Sequence, residues 1–221
     1  MAVGFDAFVS SEGSSTARTS GSFDFTIANQ EKRALFVAFN AYDATNFTAS
    51  FTRNGLSSSL VSNISPGGLT RIVVHKMLNP TVGTYSLAWS TSAGIKYDLV
   101  SAVAFYGVDL DDPYDIYTFY TTAPGGSHNL NMVSAVGGYC WDSLIVYGDG
   151  LSITGAARTT MKYKYFTFRD KQYLTRLAGD GNTLNFSYNH SNYWLSHFGM
   201  SLNPYIAPPV VEGRKYGPAV Q

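Results

Sequence analysis

The chain has 221 residues, carries 15 Lys plus Arg against 15 Asp plus Glu, and is only 14% charged. So neutral a chain has no field to hold a phosphate backbone, which argues against a nucleic-acid partner, and its one cysteine, Cys140, excludes a disulfide-stapled scaffold. The length suits one large all-β domain or two small ones, and low charge combined with 15% aromatic residues favours a protein packed against neighbours.

The first residues, MAVGFDAFVSSEG, lack a basic segment followed by a long apolar one, so no signal peptide is expected. No run approaches the roughly 20 apolar residues that span a bilayer. These two readings predict a protein made in the cytoplasm with no membrane partner.

From there the chain alternates with period two. Leu35, Val37, Phe39 and Ala41 interleave with Phe36, Ala38 and Asn40; Tyr85, Leu87 and Trp89 with Ser86, Ala88 and Ser90; Leu184, Phe186 and Tyr188 with Asn185, Ser187 and Asn189. Alternation puts one set of side chains on each face of a strand. In 99–106 both sets are apolar, so both faces should be covered. Strands are expected near 3–9, 22–28, 33–42, 46–53, 58–63, 69–78, 83–90, 97–108, 114–122, 127–134, 140–147, 151–168, 173–177, 183–189 and 193–202, some of them merging. Turn signals separate them, among them Arg53-Asn54-Gly55, Asn79-Pro80 with Gly83, Asp112-Pro113 and Asp180-Gly181-Asn182. The one helical candidate is a single turn around 170–177. The core is expected to hold Leu35, Val37, Phe39, Val73, Leu87, Trp89, Val103 and Phe105.

This spacing predicts an all-β fold: a single antiparallel β-sandwich over residues 1–205, followed by an extended C-terminal arm, 206–221. The arm sequence APPVVEGRKYGPAVQ has three prolines and two glycines and no alternation. Extended, residues 207–221 reach at most about 50 Å, far enough to dock on a neighbouring subunit. Val210, Val211 and Tyr216 would be its apolar anchors, with Arg214 and Lys215 at the rim.

Catalytic signatures do not occur: there is no CxxC pair, HExxH, GxGxxG, phosphate loop or GxSxG. The four histidines, His75, His128, His190 and His197, are scattered and read as strand or loop residues bonded locally. Zinc needs three or four convergent ligands, and neither metal nor cofactor is expected. The densest acidic stretch, Asp109 to Asp115, offers oxygen ligands for a hard cation, but lacks EF-hand spacing and reads first as a turn whose Asp side chains cap local amides. Aromatics crowd the C-terminal half at Tyr139, Trp141, Tyr163, Tyr165, Phe166, Phe168, Tyr173, Tyr193 and Trp194, where they form a core, an interface or a sugar-stacking surface. In Lys162 to Arg169 neither alternating set is a simple core face, which fits a strand at an edge or interface. The Asn-x-Ser/Thr sequons at Asn46, Asn63, Asn185 and Asn189 read as chance in an Asn/Ser/Thr-rich chain.

Three segments occur in order: Lys32-Arg33-Ala34-Leu35-Phe36-Val37-Ala38-Phe39, Met77-Leu78-Asn79-Pro80-Thr81-Val82-Gly83-Thr84-Tyr85 and Ala102-Val103-Ala104-Phe105-Tyr106-Gly107-Val108-Asp109. Together they resemble a β-sandwich module common in tailed-bacteriophage virion proteins and in some bacterial surface proteins. The chain departs from that module after the third strand, where Arg53-Asn54-Gly55 replaces its Tyr-Gly-Gly. The resemblance implies a jelly-roll-like sandwich with a structural role in a virion, as a capsid decoration, tail or fibre protein. Its partners would be other virion proteins and copies of itself, and it carries over no site residues. A second reading is a glycan- or receptor-binding module of a fibre or cell-surface protein. A third, a polysaccharide depolymerase, would need paired carboxylates about 5–10 Å apart, and acidic residues are few.

Overall fold

The structure is a computed structural model that describes residues 1–42, 46–65, 69–121, 126–147, 152–155, 158–165, 170–190 and 194–207. Its strands are β1 (Gly4–Glu12), β2 (Arg18–Ile27), β3 (Ala34–Tyr42), β4 (Ala49–Arg53), β5 (Leu56–Ser57), β6 (Ser59–Ile64), β7 (Thr70–Leu78) and β8 (Gly83–Tyr106). After the Asp-rich corner come β9 (Tyr114–Thr121), β10 (Gly126–Val133), β11 (Val136–Tyr147), β12 (Ser152–Gly155), β13 (Thr159–Tyr165), β14 (Asp170–Asp180), β15 (Thr183–His190) and β16 (Trp194–Leu202). Every pairing is antiparallel. The all-β antiparallel sandwich expected from the sequence is therefore present.

Two corrections concern local structure. Residues 170–177, the one helical candidate, belong to β14, which is paired on both sides by β11 and β13. Pairing on both sides satisfies its backbone without a helix, and Gln172, Leu174 and Thr175 are buried. The strands expected at 83–90 and 97–108 are one strand, β8, whose first half pairs with β2 and β4 and whose second half pairs with β1 and β3.

Because β8 serves two sheets, the first half of the chain rolls up as nested ribbons: β1 with the end of β8, β2 with its beginning, β3 with β7 and β4 with β5. That nesting is jelly-roll wiring. The second half repeats it: β9 with β16, β10 with β15 and β11 with β14, while β12 also joins β15 and β13 joins β14. The jelly roll foreseen once is thus run twice. Period-two alternation reveals strands but says nothing of their pairing, so the duplication is not visible in it.

The halves stack back to back. One core lies inside the first jelly roll, with Leu35, Val37, Phe39, Val73, Leu87 and Trp89. A second, shared core lies between the halves, where Phe36, Val103 and Phe105 meet Trp141, Leu174, Phe198 and Met200. All eight core residues expected from the sequence are buried, two of them, Val103 and Phe105, in the shared layer. β3 consequently buries both faces, which is why Ala34–Ala41 contains almost nothing polar. Phe36 touches Trp141 across this layer with ring centroids 6.0 Å apart. Where the final strands end, Val108 and Pro204 bridge antiparallel, Val3 donates its amide to the carbonyl of Gly137, and Lys162 of β13 pairs with Glu12 of β1 at 2.5 Å.

Local chemistry fixes the corners. Asn54 and Gly55 both have positive φ, 50° and 76°, the conformation a tight two-residue hairpin turn requires. The neighbouring Arg53 is buried and donates to the carbonyls of Thr81, Phe25 and Gly83, closing the turn after Asn79-Pro80.

Phe105, fully buried against Phe5, Phe36 and Tyr139, tests the shared layer. Phe105→Ala should cost about 3–5 kcal/mol in a denaturant titration; a loss under about 1 kcal/mol would contradict its placement.

Candidate functional site

The two jelly rolls differ in what they bury. When β3 is aligned with β11 so that Phe36 matches Trp141, the ladders set Val37 against Asp142, Val100 against His197 and His75 against Thr175. In the outer sheets Gly21 lies opposite Trp89 in the first half and His128 opposite Tyr188 in the second. A mostly apolar centre in the first half is replaced in the second by a polar cluster.

Asp142 lies at its middle, fully buried on β11. One carboxylate oxygen accepts the backbone amide of Thr175 at 3.1 Å and the Thr175 hydroxyl. The other accepts the Tyr188 hydroxyl at 2.5 Å and Nε2–H of His197 at 2.8 Å. Since the carboxylate only accepts, His197 must donate from Nε2, which leaves Nδ1 as acceptor for Nε2–H of His128, 2.8 Å away. The ring of His128 stacks under Phe119 of β9, with centroids 3.7 Å apart. Arg158 sits over the rings of Tyr188 and Phe186 at 4.5 and 4.8 Å and donates to the carbonyl of Ser187. Gly199, directly opposite Asp142, lets β10 pack close: a Cβ there would lie 2.5 Å from the Met132 sulfur.

Burial alone would raise the Asp142 pKa, but hydrogen bonds and charge from His197, the Arg158 charge and the Thr175 hydroxyl outweigh it and hold the carboxyl below its ordinary value. Burial likewise lowers His197, and the attraction of Asp142 only partly offsets this. The contact is therefore a neutral imidazole donating to a carboxylate at pH 7, with Arg158 supplying the compensating charge. Burial, then the Asp142 charge, pushes Tyr188 well above its usual range and keeps its proton in place. Next to Asp142 in sequence, the lone thiol of Cys140 is pushed up to about 11 by burial, which makes it unreactive.

An Asp–His pair is the orienting half of a catalytic triad, but the second His197 nitrogen bonds another histidine rather than a hydroxyl or thiol. The cluster instead ties together β10, β11, β14, β15 and β16, and reaches β9 through Phe119. Sequence reasoning missed it because Asp142, His128 and His197 sit in separate strands. A buried aspartate amid the apolar run Cys140–Val146 was the available signal.

The other sequence-derived sites fall as follows. Val210, Val211, Arg214, Lys215 and Tyr216 lie outside the described residues. Asp109 accepts the amide of Asp111 in a local cap, and Asp109, Asp112 and Asp115 line a groove of about 560 Å³ with Val136, Asn203 and Ile206. Among the described residues no three His, Cys, Asp or Glu side chains converge as metal ligands. Trp141 is core, and Tyr139 is half-buried between Phe105 and Arg176. Lys162 lies on β13, an edge strand as anticipated. No family model matches the chain, and no curated protein or solved structure does either.

The polar centre sets a pH dependence. His197, held below its unfolded value near 6.5, binds its proton later in the folded state than in the unfolded one. Stability is therefore lost as pH falls through about 6.5 toward the folded pKa. Asp142, also held below its ordinary value, adds a further loss below about pH 4. His75 is lowered by burial too and acts in the same direction, so the diagnostic is a comparison. The urea midpoint should fall between pH 7.5 and 5.5, and fall less in His197→Gln; equal slopes would contradict the assignment. Asp142→Asn should cost about 3 kcal/mol at pH 7.5, since it weakens several hydrogen bonds to a buried charge.

Proposed function

We propose that this protein is a non-enzymatic structural component of a tailed-phage virion that works by contact between subunits. The observation that supports the reading is where the exposed apolar residues stand. Among the described residues, six of the nine exposed large apolar side chains belong to the second jelly roll or its end: Ile116, Phe119 and Tyr120 on β9, Val133 on β10, and Val136 and Ile206 in one groove; Tyr120 is 59% exposed, Val136 77% and Ile206 79%. Clustered apolar surface of this kind marks contact with another macromolecule more often than singly scattered residues do. Neutral charge removes long-range repulsion between copies, and the motifs from Lys32 to Asp109 resemble a virion module. Residues 206–221, beginning at the exposed Ile206, would serve as the arm that docks on a neighbouring subunit.

Mass spectrometry of purified particles from the source is expected to find this chain as a stoichiometric component; its absence would contradict the reading. Deleting 207–221 should leave the unfolding free energy from urea titration within about 0.5 kcal/mol of wild type, as surface changes do, while weakening attachment to particles at least tenfold. Undiminished attachment would remove the arm from the account.

A further inference from the structure

Among the described residues, β9 is the long sheet edge with the fewest devices against pairing. An exposed strand edge offers unpaired N–H and C=O groups to any other chain, and proteins blunt it with bulges, lysines, prolines or brevity. The other edges carry such devices. Bulges interrupt β1 between Phe5 and Ala7, β6 between Leu60 and Ser62, and β13 between Thr160 and Lys162, where two lysines also stand; β2 is regular from Ser20 to Ile27 but carries Gly21 and Asp24 within that run. β5 has 2 residues and β12 has 4. β10 is regular, but the Tyr117 hydroxyl covers its end, accepting the amide of Val133 at 3.0 Å. β9 has 8 residues, YDIYTFYT, without lysine, proline or glycine. It runs in unbroken register with β16 and, among the described residues, has no strand on its outer side.

We propose that β9 is the dimerisation edge of this protein, pairing antiparallel with β9 of a second copy about a twofold axis at Thr118. This deepens the structural reading above by naming the partner, and it rests on that reading. A twofold axis perpendicular to a sheet pairs residues whose numbers sum to an even value, so the register about Thr118 sets Ile116 opposite Tyr120 and Tyr117 opposite Phe119. Directly opposed aromatic and β-branched residues stabilise a sheet, and like charges opposite one another do not. Here the one charged residue of the strand, Asp115, faces position 121 rather than its own copy. The register about Tyr117 would instead set Asp115 against Phe119. Joined this way, two five-stranded sheets become one of ten, and the Phe119–His128 stack lies directly behind the joint. The fused edge is isologous, as a closed dimer requires.

The test uses the full chain. Analytical ultracentrifugation of wild type should show a concentration-dependent dimer. Thr118→Lys, which sets two lysines across the axis, should raise the dimer dissociation constant at least tenfold with an unchanged melting temperature, while Leu60→Lys on the β6 edge should change neither. As an independent reading, Thr118→Cys should oxidise to a disulfide-linked dimer, since opposed strand residues lie within disulfide reach and the native Cys140 is buried; Leu60→Cys should not. A wild type that stays monomeric at high micromolar concentration overturns the proposal, as does a dimer unmoved by Thr118→Lys or a Thr118→Cys protein that does not cross-link; a different occupant of β9, the chain's own residues 208–221 included, would give these results. A monomeric chain that is nonetheless found in particles refutes the edge and spares the structural role; a β9 dimer absent from particles does the reverse.

Discussion

Everything else in the molecule depends on the apolar face between the two jelly rolls. Each central sheet must hide two faces, one against its own outer sheet and one against the other half. Phe36, Val103 and Phe105 from one side and Trp141, Phe198 and Met200 from the other form that layer. β3 buries its residues 34–41 completely as a result, and its composition follows: a strand with no solvent face has no place for alternating polar residues. The same layer fixes where the final segments run, so that residues 107–109 and 203–205 end beside each other.

Sharing one face leaves the two halves free to differ elsewhere. The interior of the first half is close to an ordinary hydrocarbon core. That of the second holds a carboxylate with four hydrogen bonds and two histidines in series. Substituting apolar groups of similar volume for such a cluster is often neutral or stabilising, whereas removing one member is costly. Its position gives it a use: it underlies β9, the long edge strand with the fewest devices against pairing, and it holds Phe119 through His128. A rigid edge loses less entropy when a partner strand joins it.

Much of the fold was legible in the chain. Alternation in 33–42, 83–90 and 97–108 identified strands and the residues they bury, because a side chain's face follows directly from its parity. Asn54-Gly55 and Asn79-Pro80 marked turns, because few other residues take those backbone angles. The unbroken β8 was not legible, since a strand that bends between two sheets carries turn-like residues such as Ala93-Gly94 at its bend. Nor was the second jelly roll: nested pairings join residues nearly a hundred apart, and the two halves share wiring more than composition. The Asp142 centre fails to announce itself for the same reason, as its members come from five strands. Edge strands were partly legible; the lysines of β13 gave its edge away, while β9 differs only in lacking them.

Amide hydrogen exchange tests the back-to-back arrangement most directly. If the halves form one unit, the slowest amides of β3 and β11 should exchange with a common opening free energy and shift together in Phe105→Ala. If β11 keeps wild-type protection while β3 loses it, the two jelly rolls open independently, and the shared layer does not hold the molecule together.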